Sequence, residues 1–256
     1  PMAKKSSHRE RIVLLDTHAI IHRAYHALPE LTGPDGKPTG ALYGLVAMLV
    51  KIINDLKPDY LAACYDLPKP TVRHEAYADY KGTRAKTDDA LVLQLNESRK
   101  VFEAFSIPTY EREGFEADDL LGTIAHMLGE HKGVDVIIAS GDMDTLQLVD
   151  DEKVRVYTLK KGINDTILYD EEKVRERFGF GPILIQDLKG IIGEPSDNIK
   201  GVPGVCEGSA LKLIQAYGDL DKIFKVIRKK GVEAVAKETG IQKRYVQLVA
   251  DNEEAA

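Results

Sequence analysis

Apolar residues along the chain fall into two rhythms. In the first two-thirds, short unbroken runs alternate with longer stretches of helical spacing. Ile12 to Asp16 (IVLLD), Tyr60 to Asp66 (YLAACYD) and Val134 to Ser140 (VDVIIAS) are compact runs without polar alternation, as expected of strands buried on both faces. Gly40 to Leu56 places Leu42, Leu45, Val46, Leu49, Ile52 and Ile53 on one side of a predicted helix; further helices are predicted near Asp88 to Phe105 and Glu116 to Glu130. Val154 to Leu159 and Thr166 to Tyr169, separated by Lys161-Gly162, read as a hairpin or edge strands. From about Pro182 the pattern is helical throughout, broken by Gly-rich turns. The predicted architecture is α/β: a mostly parallel sheet flanked by helices over residues 1–180, then a helical region over 181–256.

Composition narrows the class. With 256 residues, 43% apolar and 30% charged, the chain is an ordinary globular mixture. No apolar run approaches the roughly 18 residues of a membrane span, which predicts a soluble chain with no membrane partner. The opening PMAKKSSHRER is basic and polar, unlike a secretory leader, and its first two residues read as a cloning remnant. Cys64 and Cys206 lie far apart without metal-type spacing, which argues against a disulfide scaffold and fits a reducing cytoplasm. The formal charge of −6 is unevenly spread: residues 200–250 hold 10 Lys and Arg against 5 Asp and Glu. An acidic first part and a basic second part suit a polyanion bound by one region while the other holds cations.

The acids are placed in a telling way. Asp16 and Asp66 end two predicted strands and Asp142 lies just past a third, so a parallel sheet would bring all three to one edge, where ligands bind. Glu116, Asp118 and Asp119 open a predicted helix, Asp144 follows Asp142 by two residues, and a loop near the boundary adds Glu194 and Asp197. Each acid alone has a bland explanation as a helix cap or a favourable charge in a first turn. Up to nine aimed at one edge would repel strongly unless neutralised. Hard divalent ions with oxygen ligands, Mg²⁺ or Mn²⁺, answer that need, and a pair about 3.5–4 Å apart is the usual apparatus for hydrolysing phosphodiesters. His18, His22 and His26 recur every four residues, but without cysteine and beside so many oxygens zinc is the weaker reading.

Basic and aromatic residues supply the complementary half. If residues 73–84 are helical, Arg73, Tyr77, Tyr80, Lys81 and Arg84 share one face, a mixture of rings and cations suited to frayed or single-stranded nucleic acid. The competing reading is a solvated, salt-bridged helix. Gly201-Val202-Pro203-Gly204-Val205 leads into a helix carrying Lys212, a turn whose backbone N–H groups and following helix N-terminus suit a phosphate, although a Gly-rich turn taken alone reads first as simple loop chemistry. Lys222, Lys225, Arg228 and Lys229 continue the basic character at helical spacing, either as a track for a duplex or as a solvated face.

Five ordered stretches now carry a resemblance: LLDTHAIIHRAYHALP, YDLPKPTVRHEAYADYKGTR, GFEADDLLGTIA, ASGDMDTLQLV and GEPSDNIKGVPGV. Over nearly its whole length the chain resembles the 5′ nuclease (5′–3′ exonuclease, flap endonuclease) domain of bacterial DNA polymerase I. The resemblance implies a PIN-like metallonuclease domain over 1–180 with a helical arch at about 70–87. A helical DNA-binding region with a helix-three-turn-helix hairpin would follow over 181–256, shortened at its end. It implies metal-site carboxylates at Asp16, Asp66, Glu116, Asp118, Asp119, Asp142, Asp144 and Asp197, with Glu194 standing where the family has Asp. Lys81 and Arg84 look like the arch cations that stabilise charge on the scissile phosphate, and Tyr80 like the arch aromatic that meets the displaced base. Arg23 and Arg73 match basic positions near the 5′ strand. The Gly201–Val205 turn is similar to one that holds K⁺ against a duplex phosphate. Two departures fall in that hairpin: Cys206 replaces a glycine and Gly208 stands where lysine is common. The implied substrate is DNA with a 5′ flap, a nick or a free 5′ end, cut with two Mg²⁺ or Mn²⁺ ions by a monomer in replication and repair. A stand-alone nuclease and a piece of a longer polymerase are both compatible with the sequence. Rival readings are a catalytically weak branched-DNA binding protein of the same fold and a PIN-type ribonuclease.

Overall fold

The computed structural model describes residues 9–131, 133–151, 153–161 and 165–256. Gly162, read above as part of the hairpin turn, and the basic opening stretch up to His8 lie outside the described residues. Two compact units divide the chain. One runs up to Val72 and resumes over Lys86–Asp170; the other takes Arg73–Ala85 and Glu171–Ala256. Most of the stretch read from sequence as an arch on the first domain therefore clusters with the second unit.

The first unit is built on a six-stranded sheet. Its strands are β1 (Glu10–Asp16), β2 (Tyr60–Cys64), β3 (Thr109–Tyr110), β4 (Val134–Ala139), β5 (Val154–Lys161) and β6 (Asp165–Tyr169), in the order β3-β2-β1-β4-β5-β6. All neighbours pair in parallel except β5 and β6, which form the antiparallel pair expected of the hairpin. The two-residue β3 was not foreseen, because a strand that short leaves no hydrophobic rhythm to read. The register sets Asp16 beside Cys64 on one side and Leu15 beside Ala139 on the other, so β1, β2 and β4 end level with one another. Parallel strands whose carboxyl ends align on one edge are the geometry that brings distant strand-end residues together.

The first five helices are α1 (Thr17–Ala27), α2 (Gly40–Leu56), α3 (Val72–Ala76), α4 (Asp89–Ala104) and α5 (Ala117–Gly129). Side chains alternate across β1: Val13 and Leu15 join a buried cluster with Ile20, Ile21, Leu45, Leu49, Ile52 and Phe102 from α1, α2 and α4, whereas Leu14 points to the opposite face. α5 packs against β1, β2 and β4 with Leu121 and Ala125 buried. Each large side chain taken fully out of water contributes about 1.5–3 kcal/mol. The inward stripe of α2 is Ala41, Leu45, Met48, Leu49, Ile52 and Leu56; Leu42, Val46 and Ile53 are only half-buried. Reading bulk alone turned that helix by part of a turn, because small Ala41 faces inward where the packing is tight.

The second unit holds α6 (Glu171–Phe178), α7 (Ile185–Ile192), α8 (Glu207–Tyr217), α9 (Leu220–Lys230), α10 (Val232–Thr239) and α11 (Lys243–Asp251), and consecutive helices from α7 to α11 pack on one another. The hairpin between α7 and α8 is closed by two glycines lying back to back. Gly201 has φ +56°, and a Cβ there would sit 2.2 Å from the Gly193 nitrogen. Gly204 has φ +81° but only a leucine methyl at 3.4 Å in its way. Gly201→Ala is expected to destabilise the second unit by about 3 kcal/mol or more, and Gly204→Ala by about 1 kcal/mol, in denaturant titrations. Equal costs would contradict the close backbone contact. No helix among the described residues is long and apolar enough to cross a membrane.

Candidate functional site

Five of the predicted acids meet at the carboxyl edge of the sheet. Asp16, 4% exposed, is the last residue of β1 and caps α1: its Oδ1 accepts from the Ala19 N–H (3.1 Å) and its Oδ2 from the Ser140 hydroxyl (2.6 Å). Asp66, just past β2, accepts the Ala117 N–H at the start of α5 (2.7 Å), and its own N–H donates to His18 Nδ1 (3.3 Å). Asp142, past β4, donates its N–H to the Ser140 hydroxyl (2.9 Å) and accepts the Asp144 N–H (2.9 Å). Glu116 is buried at the start of α5, and Asp118 lies in its first turn.

Electrostatics show that these are neighbours in space. Burial pushes Asp16 up to about 6, opposed by its bonds to Ser140 and Ala19 and aided by the charges of Asp66 and Asp142. Asp118 is pushed up to about 8, first by the protein atoms packed around it and then by Asp16, Asp142, Asp66 and Glu116. It nevertheless keeps more than a third of its surface open to water, so it lies at the mouth of the cluster. Cys64, fully buried beside Asp16, has its thiol pushed to about 12 by burial and by the charges of Asp16, Asp118 and Asp66. Among the described residues, no three His, Cys, Asp or Glu side chains are drawn together tightly enough to hold an ion as they stand. What fits a hard divalent cation is the donor set: oxygen ligands only, whose mutual repulsion such an ion relieves.

The other predicted acids are engaged elsewhere. Asp119 accepts the Glu116 N–H (2.9 Å) in a reciprocal box that caps α5, the bland role weighed for it from sequence. Asp144 sits on the 3₁₀ turn Met143–Leu148, and its N–H is the one that Asp142 caps. Glu194 and Asp197 belong to the second unit. There Glu194 pairs with Lys189 and accepts from the Ser196 hydroxyl (2.7 Å). Asp197 accepts from the Tyr80 hydroxyl (2.9 Å) and from Arg84 (2.5 Å). The histidine stripe does not form a ligand set: His18 serves Asp66, while the His22 and His26 rings stand 6.2 Å apart.

Residues 73–84 do not form one helix, which corrects the continuous basic and aromatic face expected there. α3 ends at Ala76, turns follow, and Lys81 has φ +56°, a backbone no helix contains. Tyr80 is 5% exposed, so its ring is not a free platform for a base. It is a buried anchor, with His74 edge-on at 5.1 Å and the Lys81 ammonium 5.0 Å from its centroid. The whole segment is fastened to the 194–199 loop: the Lys81 N–H donates to the Asp197 carbonyl (2.9 Å), Arg84 Nε to the Ser196 carbonyl (3.0 Å) and Asn198 to the Asp79 carbonyl (2.8 Å). Arg73 and Tyr77 line a cavity of about 530 Å³ together with Ile199, Lys200 and Gly201.

Of the remaining predicted nucleic-acid contacts, Arg23 donates to the Gly141 carbonyl (3.3 Å), beside Asp142 in sequence. In the hairpin, Gly201 and Val202 are buried while Gly204 and Lys212 are exposed and Val205 is half-buried. Cys206 has φ −87°, so the missing glycine costs the backbone nothing. Gly208 opens onto empty space. Much of the basic character beyond is balanced locally: Lys222 pairs with Asp219 (2.7 Å), Arg228 with Glu253 and Lys230 with Glu238 (2.8 Å), while Lys225 and Lys229 are exposed. Sequence reasoning missed Ser140, whose hydroxyl bridges two of the clustered acids; its only signal was its place two residues before Asp142.

Comparison with known proteins supplies an independent line. Residues 11–179 match the family model described as 5′-3′ exonuclease, N-terminal resolvase-like domain, and residues 180–255 match 5′-3′ exonuclease, C-terminal SAM fold. DNA polymerase I of Bacillus subtilis is 40% identical over 219 residues, covering 86% of this chain and 25% of the polymerase. The chain thus spans about a quarter of the length of the curated relatives it matches. Among solved structures, the T5 5′-exonuclease with bound divalent zinc ions has the same fold, with a TM-score of 0.73 at 23% identity over 96% of this chain and 86% of the other. The catalytic core of Rad2 in complex with DNA substrate superposes with a TM-score of 0.58 at 15% identity, covering 99% and 76%. Two adjoining family models that together account for almost every residue, over a sheet edge crowded with carboxylates, place this chain in the 5′–3′ exonuclease family.

Proposed function

We propose that the chain is a structure-specific 5′ nuclease that hydrolyses phosphodiesters in DNA bearing a 5′ flap, a nick or a free 5′ end. The observation that carries this reading is the gathering of Asp16, Asp66, Glu116, Asp118 and Asp142 from four separate stretches of chain into one charged cluster. Structural neighbours support it: the T5 5′-exonuclease structure holds divalent zinc ions and the Rad2 core structure holds DNA substrate. For this chain the oxygen-only donors favour Mg²⁺ or Mn²⁺ in a two-ion arrangement. When bound, such ions supply Lewis acidity toward the phosphodiester and toward water.

The protein's own groups do the rest. Capping and hydroxyl bonds hold Asp16 and Asp142, which limits how far they would have to move to take up an ion. Lys81 and Arg84 are assigned the role of offsetting charge that grows on the phosphate in the transition state. Val202 and Val205 spend their N–H groups on backbone carbonyls and Pro203 has none, so the exposed Gly204 N–H and the exposed Lys212 are the groups assigned to a duplex phosphate, and K⁺ at the same turn belongs to this proposal. Asp119 and Asp144 are assigned to the periphery of the ion site, and Glu194 and Asp197 are kept as further candidate ligands. Free thiols at Cys64 and Cys206 suit an intracellular, reducing setting, and the polymerase relatives suit a role beside a polymerase module in replication and repair.

A labelled 5′-flap duplex tests the reading. Cleavage at the junction is expected in Mg²⁺ and none in EDTA, with intact single strands cut far more slowly. Tight flap binding without cleavage in any divalent ion would favour the branched-DNA binding protein, and preference for an RNA flap would favour the ribonuclease.

A further inference from the structure

One group in the carboxylate cluster has no place in the chemistry described so far. Ser140 follows β4 directly and is 3% exposed. Leu15 pairs with Ala139, so Asp16 and Ser140 leave the sheet side by side on neighbouring parallel strands. A serine hydroxyl has one proton to give and lone pairs to receive. Here the proton goes to Asp16 Oδ2 at 2.6 Å, and a lone pair receives the Asp142 N–H at 2.9 Å. One oxygen thus touches both acids, which are separated by 126 positions in the chain.

A buried serine whose only role was to satisfy itself would bond to a nearby backbone carbonyl. Ser140 instead completes the grip on Asp16, whose other oxygen is held by the Ala19 N–H at 3.1 Å. It also sets the turn that aims Asp142. That turn has little freedom of its own: a Cβ on Gly141 would lie 3.2 Å from the Ala19 carbonyl, and Arg23 holds the Gly141 carbonyl. Both ends of the bridge are therefore tied to the start of α1.

We infer that Ser140 is a positioning residue: its hydroxyl locks the Asp16 carboxylate and the Asp142 turn into one mutual arrangement, so that the two acids present the oxygen lone pairs these bonds leave over together to a divalent cation. The inference rests on the metal-site reading proposed above. Outer groups that orient ligands in this way commonly govern affinity by 10–100-fold. Alanine would leave Asp16 Oδ2 without its donor and the Asp142 N–H without its acceptor. Threonine keeps the hydroxyl.

The test is Mn²⁺ binding followed by electron paramagnetic resonance on the full chain, alongside flap cleavage. Ser140→Ala is expected to weaken Mn²⁺ binding by about tenfold or more and to lower kcat in step. Flap affinity measured in EDTA should stay within about twofold, and Ser140→Thr should restore most of both losses. Ser140→Cys, nearly the same size with a weaker hydrogen bond, gives an intermediate value and keeps the test valid if the alanine variant folds poorly. Undiminished Mn²⁺ affinity in a folded Ser140→Ala protein overturns the inference and leaves the nuclease reading standing. A parent chain that binds no Mn²⁺ at all overturns the metal site itself, and the role of Ser140 with it.

Discussion

Asp118→Asn is expected to lower flap cleavage by about a thousandfold or more while making the protein more stable in EDTA. The two effects have one cause. Asp16, Asp66, Glu116 and Asp142 each also serve the fold, through capping and loop hydrogen bonds. Asp118 accepts no hydrogen bond among the described residues and sits amid four like charges. Its charge has a purpose only when a cation is present. Because it stays partly open to water, solvent screens the repulsion, and the gain on neutralising it is set at about 1 kcal/mol, or about 2–4 °C in melting temperature.

The sign with pH follows from the same groups. Asp16 and Asp118 hold their protons more tightly in the folded chain than in the unfolded one. Their contribution to stability in EDTA is complete below the ordinary carboxylate range and is lost as pH climbs through about 6 and about 8. The melting temperature of the parent in EDTA should therefore drop over that interval, and drop less in Asp118→Asn. Saturating Mg²⁺ should reverse the ranking of the two proteins. Identical melting curves at pH 8 in EDTA would show that the acids do not repel one another.

Tyr80→Ala is expected to cost the second unit about 3–5 kcal/mol, and Tyr80→Phe only about 1 kcal/mol. The ring is buried among His74 and the Lys81 side chain, and its hydroxyl donates to Asp197 at 2.9 Å. Losing the ring opens a cavity under the segment that carries Lys81 and Arg84. Losing only the hydroxyl leaves Asp197 with Arg84. Proteolysis of the 77–86 segment, followed together with denaturant unfolding, should separate the two variants sharply. A residue that served only to stack on a displaced base would behave otherwise: alanine would weaken flap binding without touching stability.

The carboxylate edge was legible because two signals coincide there. A hydrophobic run that stops at an acid marks both a strand end and a carboxylate, which is why Asp16, Asp66 and Asp142 could be placed on one edge before any coordinates. Asp119 was harder, since an acid three residues into a helix start reads alike whether it caps an amide or faces an ion, and here it caps. Residues 73–84 misled for a different reason. Their spacing suits a helix, but partners on the 194–199 loop bind the backbone of Lys81 and Asp79 instead, and tertiary hydrogen bonds outweigh spacing. Ser140 carried no pattern at all, because a hydroxyl acquires its role only from whatever the fold sets beside it.

The bridge from Ser140 to Asp16 spans 124 positions, and β1 lacks its second neighbour in the sheet until β4 exists. On a ribosome adding roughly 5–20 residues per second, the first strand waits on the order of ten seconds for the segment that completes its surroundings. A nascent chain therefore carries the strongly apolar IVLL segment unpaired until Tyr60–Cys64 is made, and paired on one side only until Val134–Ala139 follows. The carboxylate edge is complete only then, because Asp142 and the Ser140 bridge arrive with β4.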